Sequence, residues 1–282
     1  MTTLADVVSV LDRAYPPETA QSWDRVGLVS GDLGAVVRRV RCAIDPTQAV
    51  IERAAADGVD LLVTHHPLLL RGVSSIAPSV SAKGRAVTSL VRSGLGLYAA
   101  HTNADAAAGG VSDALADALG LTEVEPLTQE EGHPLGRVGT LPEVVTLAAL
   151  ASRLARVLPA AAGGIRVSGD RKAKVRRVAV MGGAGDSGFE AARASGADVY
   201  VTADLRHHPA LEDREASGGG APFLVDAGHW ATESLWLPRV KALLDEAFGS
   251  TDRPDRVETD ICTLRTDPWT FTVGAEPPGG DA

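Results

Sequence analysis

The chain has 282 residues, 45% of them hydrophobic, with 27 Lys and Arg against 36 Asp and Glu and a formal net charge of −9. That much apolar material fills one large domain or two small ones, and the acidic balance argues against a nucleic-acid partner, since duplex binding needs a basic stripe to neutralise phosphates. No run approaches the ~20 apolar residues that span a bilayer, and the opening MTTLADVVSVLDRAYPP reads as an amphipathic helix without a signal peptide's basic segment and apolar block, so no membrane partner and a cytoplasmic location are expected.

In chain order, VRCAIDP (40–46) is predicted as a strand, followed by a helix around 47–57. Cys42, in that strand, and Cys262 match neither a disulfide framework nor a zinc-finger spacing and are read as packing residues. VDLLVTHH (59–66) is the next strand, with a helix around 81–93 that stops at Gly94; GLYAAH (96–101) is the third, and a helix from near Ser112 ends at Gly120, a glycine C-cap. Past residue 121 the character changes. TEVEPLTQEEGHPLG is polar and turn-rich, GRVGTLPEVVTLAALASRLARVL holds a short strand and a helix, and RRVAVMGGAGDSG is a strand meeting a glycine loop. ADVYVTAD and APFLVDAG are further strands, a long helix follows with a break at Pro238, and EPPGGDA reads as disordered. Short apolar runs alternating with helical patterns indicate an α/β fold with largely parallel or mixed sheets.

Three polar clusters fall at strand ends: THHP, HTNAD and GHWATE. Ligands of open α/β sheets bind just beyond the carboxyl ends of the strands. His65 and His66 offer two imidazoles that diverge from one strand end, Asp105 follows His101 by four residues, and His229 and Glu233 at i, i+4 share a helix face. Five such ligands exceed one tetrahedral ion and suit two ions with open positions, a carboxylate such as Glu233 bridging them. Each feature also has a plainer reading. Paired histidines at a strand end serve as surface or capping polarity, i, i+4 pairs solvate exposed helices, and an aspartate such as Asp105 caps turns.

The segments SWDRVGL (22–28), LLVTHHPLLLRGV (61–73), AHTNADAAAGGVSDALADALGL (100–121), GRVGTL (136–141), VAVMGGAGDSG (178–188), ADVYVTADLRHH (197–208) and DAGHWATE (226–233) together resemble, in order and over nearly the whole chain, the NIF3-like family of GTP cyclohydrolase 1 type 2 homologues, or dinuclear metal centre proteins. The resemblance implies two similar α/β/α halves. One is expected over 1–125 plus 225–271 and carries the metals, the other over 126–224, with a disordered tail over 272–282. It implies two divalent metal ions per chain, of which zinc, iron and manganese suit the donor types, on His65, His66, Asp105, His229 and Glu233. It also implies a homo-oligomer, a hexameric ring. His101 becomes a candidate to orient Asp105 or a bound water, with plain strand-end packing as its equal alternative. The chain departs from the family in TAD (202–204), where relatives often carry TGE or TGD, and its short middle segment argues against an extra inserted domain.

GAGDSG (183–188) fits GxGxxG between strand and helix, with Asp204 at about the expected distance; a tight turn is its default reading, and a dinucleotide cofactor the least favoured. A second HHP, His207, His208 and Pro209, lies at another strand end. The first functional expectation is a metal-dependent hydrolase of a small nucleotide-like or heterocyclic molecule, with His101 or His208 as acid or base. The second is a non-catalytic metal-binding assembly or adaptor protein. Trp230 and Trp236, near the site helix, suit core or interface equally.

Overall fold

The computed structural model describes residues 1–252 and 254–274. The chain opens with α1 (Leu4–Ala14), β1 (Gly27–Ser30), β2 (Arg39–Ala43), α2 (Gln48–Ala56), β3 (Leu61–Thr64), α3 (Ala82–Ser93), β4 (Gly96–Ala99), α4 (Thr102–Ala106) and α5 (Val111–Ala118). There follow β5 (Thr122–Glu130), β6 (His133–Thr146), α6 (Leu147–Val157), β7 (Arg166–Ser168), β8 (Lys174–Ala184), α7 (Phe189–Ala194), β9 (Val199–Ala203), α8 (His207–Ala216) and β10 (Phe223–Asp226). The chain closes with α9 (His229–Ser234), α10 (Leu237–Phe248) and β11 (Glu258–Ile261).

Two mixed sheets result. The first runs β1-β4-β3-β2-β11, with β2, β3, β4 and β11 parallel and β1 antiparallel at one edge. The second runs β5-β6-β8-β9-β10-β7, with a parallel centre of β8, β9 and β10. Every residue of β3, β4 and β9 is buried, as strands covered on both faces must be. Leu11 of α1 and Val240 of α10 pack on one face of the first sheet, Ile51 of α2 and Leu90 of α3 on the other. In the second sheet Leu115 of α5 and Leu150 of α6 cover one face, and Phe189 of α7 covers the other. Both halves are therefore α/β/α layers, as expected. Among the described residues no helix is long and apolar enough to cross a membrane.

Two sequence expectations need correction. The polar stretch after residue 121 is not a run of turns but the edge strand β5, which pairs with β6 through a turn at Glu131 and Gly132. Only Leu127 of β5 is buried, so it carries no apolar alternation to announce it, and Pro126 is tolerated because the strand lies at an edge. The helix break lies at Leu235–Trp236 rather than at Pro238, which is the second residue of α10, where the lost N–H has no helical partner to forgo. Trp236 is fully buried and donates its indole N–H to the Tyr15 hydroxyl at 3.1 Å, so it belongs to the core. Trp230 packs partly buried against the same core. Both cysteines are free, with Cys42 buried. The disordered tail expected over 272–282 falls mostly on 275–282, outside the described residues.

Candidate metal centre

Strand register builds the centre. Thr64 of β3 lies beside Ala99 of β4, so the residues just beyond, His65 and Ala100, are also neighbours. His65 uses that proximity: its Nδ1 donates to the Ala100 carbonyl at 2.9 Å, leaving Nε2 for the centre. On the other side of β3, β2 ends at Ala43, and its continuation brings Asp45 Oδ1 to 2.7 Å from His66 Nδ1. His229, at the start of α9, has Nδ1 on Asp204 Oδ2 at 2.8 Å. His101 has Nδ1 on Asp24 Oδ1 at 3.0 Å. In each of the four rings, Nδ1 is engaged by an oxygen. Such bonds fix the ring orientation and make Nε2 the lone-pair atom available to a cation.

The Nε2 atoms of three of these rings converge on Glu233. His229 Nε2 stands 2.9 Å and His65 Nε2 3.4 Å from Glu233 Oε1, and His66 Nε2 stands 3.1 Å from Oε2. His66 and His229 have their Nε2 atoms 3.3 Å apart. Asp105 Oδ1 lies 3.9 Å from His65 Nε2. Ligand atoms of His66, His229 and Glu233 lie within 4.8 Å of one another, and so do those of His65, His66 and His101. Adjacent strand positions would send His65 and His66 apart, but the chain leaves the strand at Thr64, and the two rings reach opposite oxygens of one carboxylate.

Electrostatics reflect this crowding. Burial would raise the Glu233 carboxyl, but the imidazoles of His65, His66 and His229 hold it well below the usual range. Burial pushes Asp105 up to about 6, and Glu233 adds to the rise while His65 opposes it. Burial disfavours the charged form of His66 and His229, yet the carboxylates raise both to about 10, through Glu233 and Asp45 for His66 and Asp204 and Glu233 for His229. Although fully enclosed and 3.1 Å from His66, Glu233 Oε2 has no hydrogen bond of acceptable geometry. An orphaned carboxylate oxygen at this depth is costly, whereas an imidazole and carboxylate set with an unsatisfied oxygen fits a divalent metal ion. The donor set fits the metal reading.

The glycine loop has a different purpose from the one its pattern suggests. A Cβ at Gly183 would stand 2.3 Å from Glu233 Oε1 and 3.3 Å from His229 Nε2, and its φ is +68°. Space beside Gly185 is taken by the Thr202 and Tyr200 hydroxyls. The loop thus packs against the centre and against side chains of β9, which leaves no open cradle for a pyrophosphate. At TAD the third residue, Asp204, adopts φ 55°, a left-handed conformation that aspartate tolerates, and its carboxylate meets His229.

His101 stands inside the cluster, its ring centroid 5.1 Å from that of His65 and 5.5 Å from that of His66. His208 does not join it. It sits in the first turn of α8, exposed, with its ring beside that of His207, and among the described residues no contact links it to the imidazole cluster. Because α8 begins only after Arg206, this second HHP is helical rather than a strand terminus. Sequence reasoning passed over Asp24 and Asp45 as ring anchors. Asp45 carried one signal, an acidic residue just beyond a buried strand.

A cavity of about 790 Å³ adjoins His66 and His229 and is walled by Arg166, Asp226, Trp230 and the segment from Thr266 to Thr272.

Comparison with known proteins places the chain in a family. A family model described as Duf34/NIF3 (NGG1p interacting factor 3) matches residues 2–268. A GTP cyclohydrolase 1 type 2 homolog of Streptomyces coelicolor is 47% identical over 98% of this chain and 97% of its own length. One from Mycobacterium tuberculosis is 35% identical over 94% of this chain and 96% of its own; that alignment runs over 375 positions, so the relative carries sequence this chain lacks. Among solved structures, a Bacillus cereus protein related to NIF3 superposes with a TM-score of 0.87 at 25% identity, covering 96% of this chain and 99% of that one. A Staphylococcus aureus protein gives 0.85 at 27% identity with the same coverage. With the family model spanning almost all of the sequence and relatives matched over nearly their full length, the chain belongs to the Duf34/NIF3 family.

Proposed function

We propose that the protein is a dinuclear metal-dependent hydrolase of a small nucleotide-like or heterocyclic molecule. The observation that carries the reading is the convergence of His65, His66 and His229 on Glu233, whose enclosed Oε2 makes no hydrogen bond of acceptable geometry. His65, His66, Asp105, His229 and Glu233 would hold two divalent ions, of which zinc, iron and manganese suit imidazole and carboxylate donors. Bound there, such ions supply Lewis-acid polarisation of a carbonyl or phosphoryl oxygen and acidify water. The chain's own contribution is orientation and proton handling. Asp24, buried and bonded to Thr102, holds the His101 ring by Nδ1, which leaves Nε2 of His101 to carry a proton to or from the reacting group.

The relatives' shared name makes GTP the first compound to test. Metal-loaded protein is to be screened against nucleoside mono- and triphosphates and cyclic amides, with His101→Asn as the paired variant. Turnover that this variant lowers at unchanged metal content supports the reading. The family's description as an interacting factor favours a second reading, a non-catalytic metal-binding adaptor, and stoichiometric metal without turnover of any compound supports that one. The proposal includes a cytoplasmic location and a homohexamer, the latter tested by sedimentation velocity.

A further inference from the structure

The segment after β11 does not run off into solvent. Thr266 donates its hydroxyl to Asp45, the same carboxylate that holds His66. Thr272 donates to the Ala162 carbonyl on the loop that follows α6. Between these two anchors the backbone is folded on itself, with Trp269 N–H on Asp267 at 3.1 Å and Arg265 on the Trp269 carbonyl at 3.0 Å. This strap forms one wall of the cavity beside the centre, and it presents two aromatic side chains there, Trp269 at 70% exposure and Phe271 at 78%.

Two large rings left in water forgo the burial that would stabilise them. Adjacent exposed aromatics lining a cavity mark a binding surface. A third aromatic, Trp230, also lines the cavity, with the Arg265 guanidinium 6.0 Å from its ring. Part of the lining is polar: Arg166 is paired with Asp226, which also accepts from the Leu205 and Gly228 backbone N–H groups. His66 and His229 of the candidate centre line it too. Exposed aromatic rings, hydrogen-bonding groups and two imidazoles lining one cavity are the parts needed to hold a flat ring with a polar substituent.

We propose that this cavity takes the planar aromatic or heteroaromatic ring of a ligand, stacked on Trp269 and Phe271 of the strap, so that the strap sets ring selectivity at the metal centre. This rests on the proposed function only in treating the centre as the reacting end. The test is isothermal titration calorimetry of the full chain, zinc-loaded, with guanosine, uridine and nicotinamide as aromatic-ring probes and ribose, which has no aromatic ring, as the control. Ring probes are expected to bind where ribose does not, and the Trp269→Leu, Phe271→Leu double variant to weaken them by about tenfold, with zinc content unchanged. Failure of every ring probe against zinc-loaded wild type, or ribose binding as well as they do, overturns the inference while leaving the metal reading intact. A double variant that retains wild-type ring affinity also overturns it. If the rings instead serve contact with a second copy, the double variant falls to a smaller species in sedimentation and no ring probe binds wild type, which again overturns it. Ring binding by a wild type that loads no metal would uphold the cavity and remove the hydrolase reading.

Discussion

Gly183 and Glu233 are in direct contact: a methyl group on the glycine would sit 2.3 Å from Glu233 Oε1. The carboxylate has no room to retreat, because the His65, His66 and His229 rings surround its other sides. Gly183→Ala is therefore expected to displace Glu233 and to reduce bound metal at least severalfold. The alanine also costs about 1–2 kcal/mol from its left-handed backbone, which is small enough for the domain to stay folded. Elemental analysis beside thermal unfolding checks both, and a variant with full metal content would contradict the contact.

Asp24 ties the turn before β1 to His101 and Thr102. Burial would raise its carboxyl, but the bonds from His101 and Thr102 hold it well below the ordinary range. A depressed carboxylate contributes stability that is present above the unfolded value near 4 and is lost as pH falls through the folded one. Asp24→Asn is expected to lose about 1.5–3 kcal/mol at pH 7, the worth of hydrogen bonds to a charged group, and to lose less than wild type between pH 5 and pH 2. Urea unfolding across that range measures the difference; parallel pH profiles would show that Asp24 is not the group responsible.

In the metal-free chain His66 and His229 are raised to about 10 by the carboxylates around them. Such imidazoles hold protons at neutral pH, and the stabilisation they give is complete below the unfolded value near 6.5 and lost as pH rises through about 10. A cation needs the same Nε2 lone pairs, so uptake must expel these protons, and apparent affinity rises with pH from neutrality toward 10. Zinc titrations in buffers of different ionisation enthalpy count the protons. More than one released per chain at pH 7 is the expected result, and none released would mean the imidazoles are not the ligands.

Much of this architecture was legible in the sequence because its signals are local. Gly94 and Gly120 mark the ends of α3 and α5 within two residues, and the runs LLVT and GLYA are buried throughout. The five proposed ligands were readable because three motifs end three strands or begin a helix. Strand β5 escaped because only Leu127 of it is buried. The ring anchors escaped for another reason. Asp24 lies 77 residues from His101 and Asp45 lies 21 from His66, so their pairing exists only once the sheet registers are set. The strap residue Thr266, 221 positions from Asp45, has no local signal at all.

The proposed centre would hold two divalent ions, with Glu233 shared between them. The most direct measurement is metal per chain by elemental analysis of untagged, chelator-free protein, wild type beside Glu233→Ala, with circular dichroism to confirm that both are folded. About two ions per wild-type chain, falling below one in the variant, is the expected result for a bridged dinuclear site. A wild type that stays empty after reconstitution with zinc, manganese and ferrous iron, or a variant that keeps the wild-type count, would contradict it.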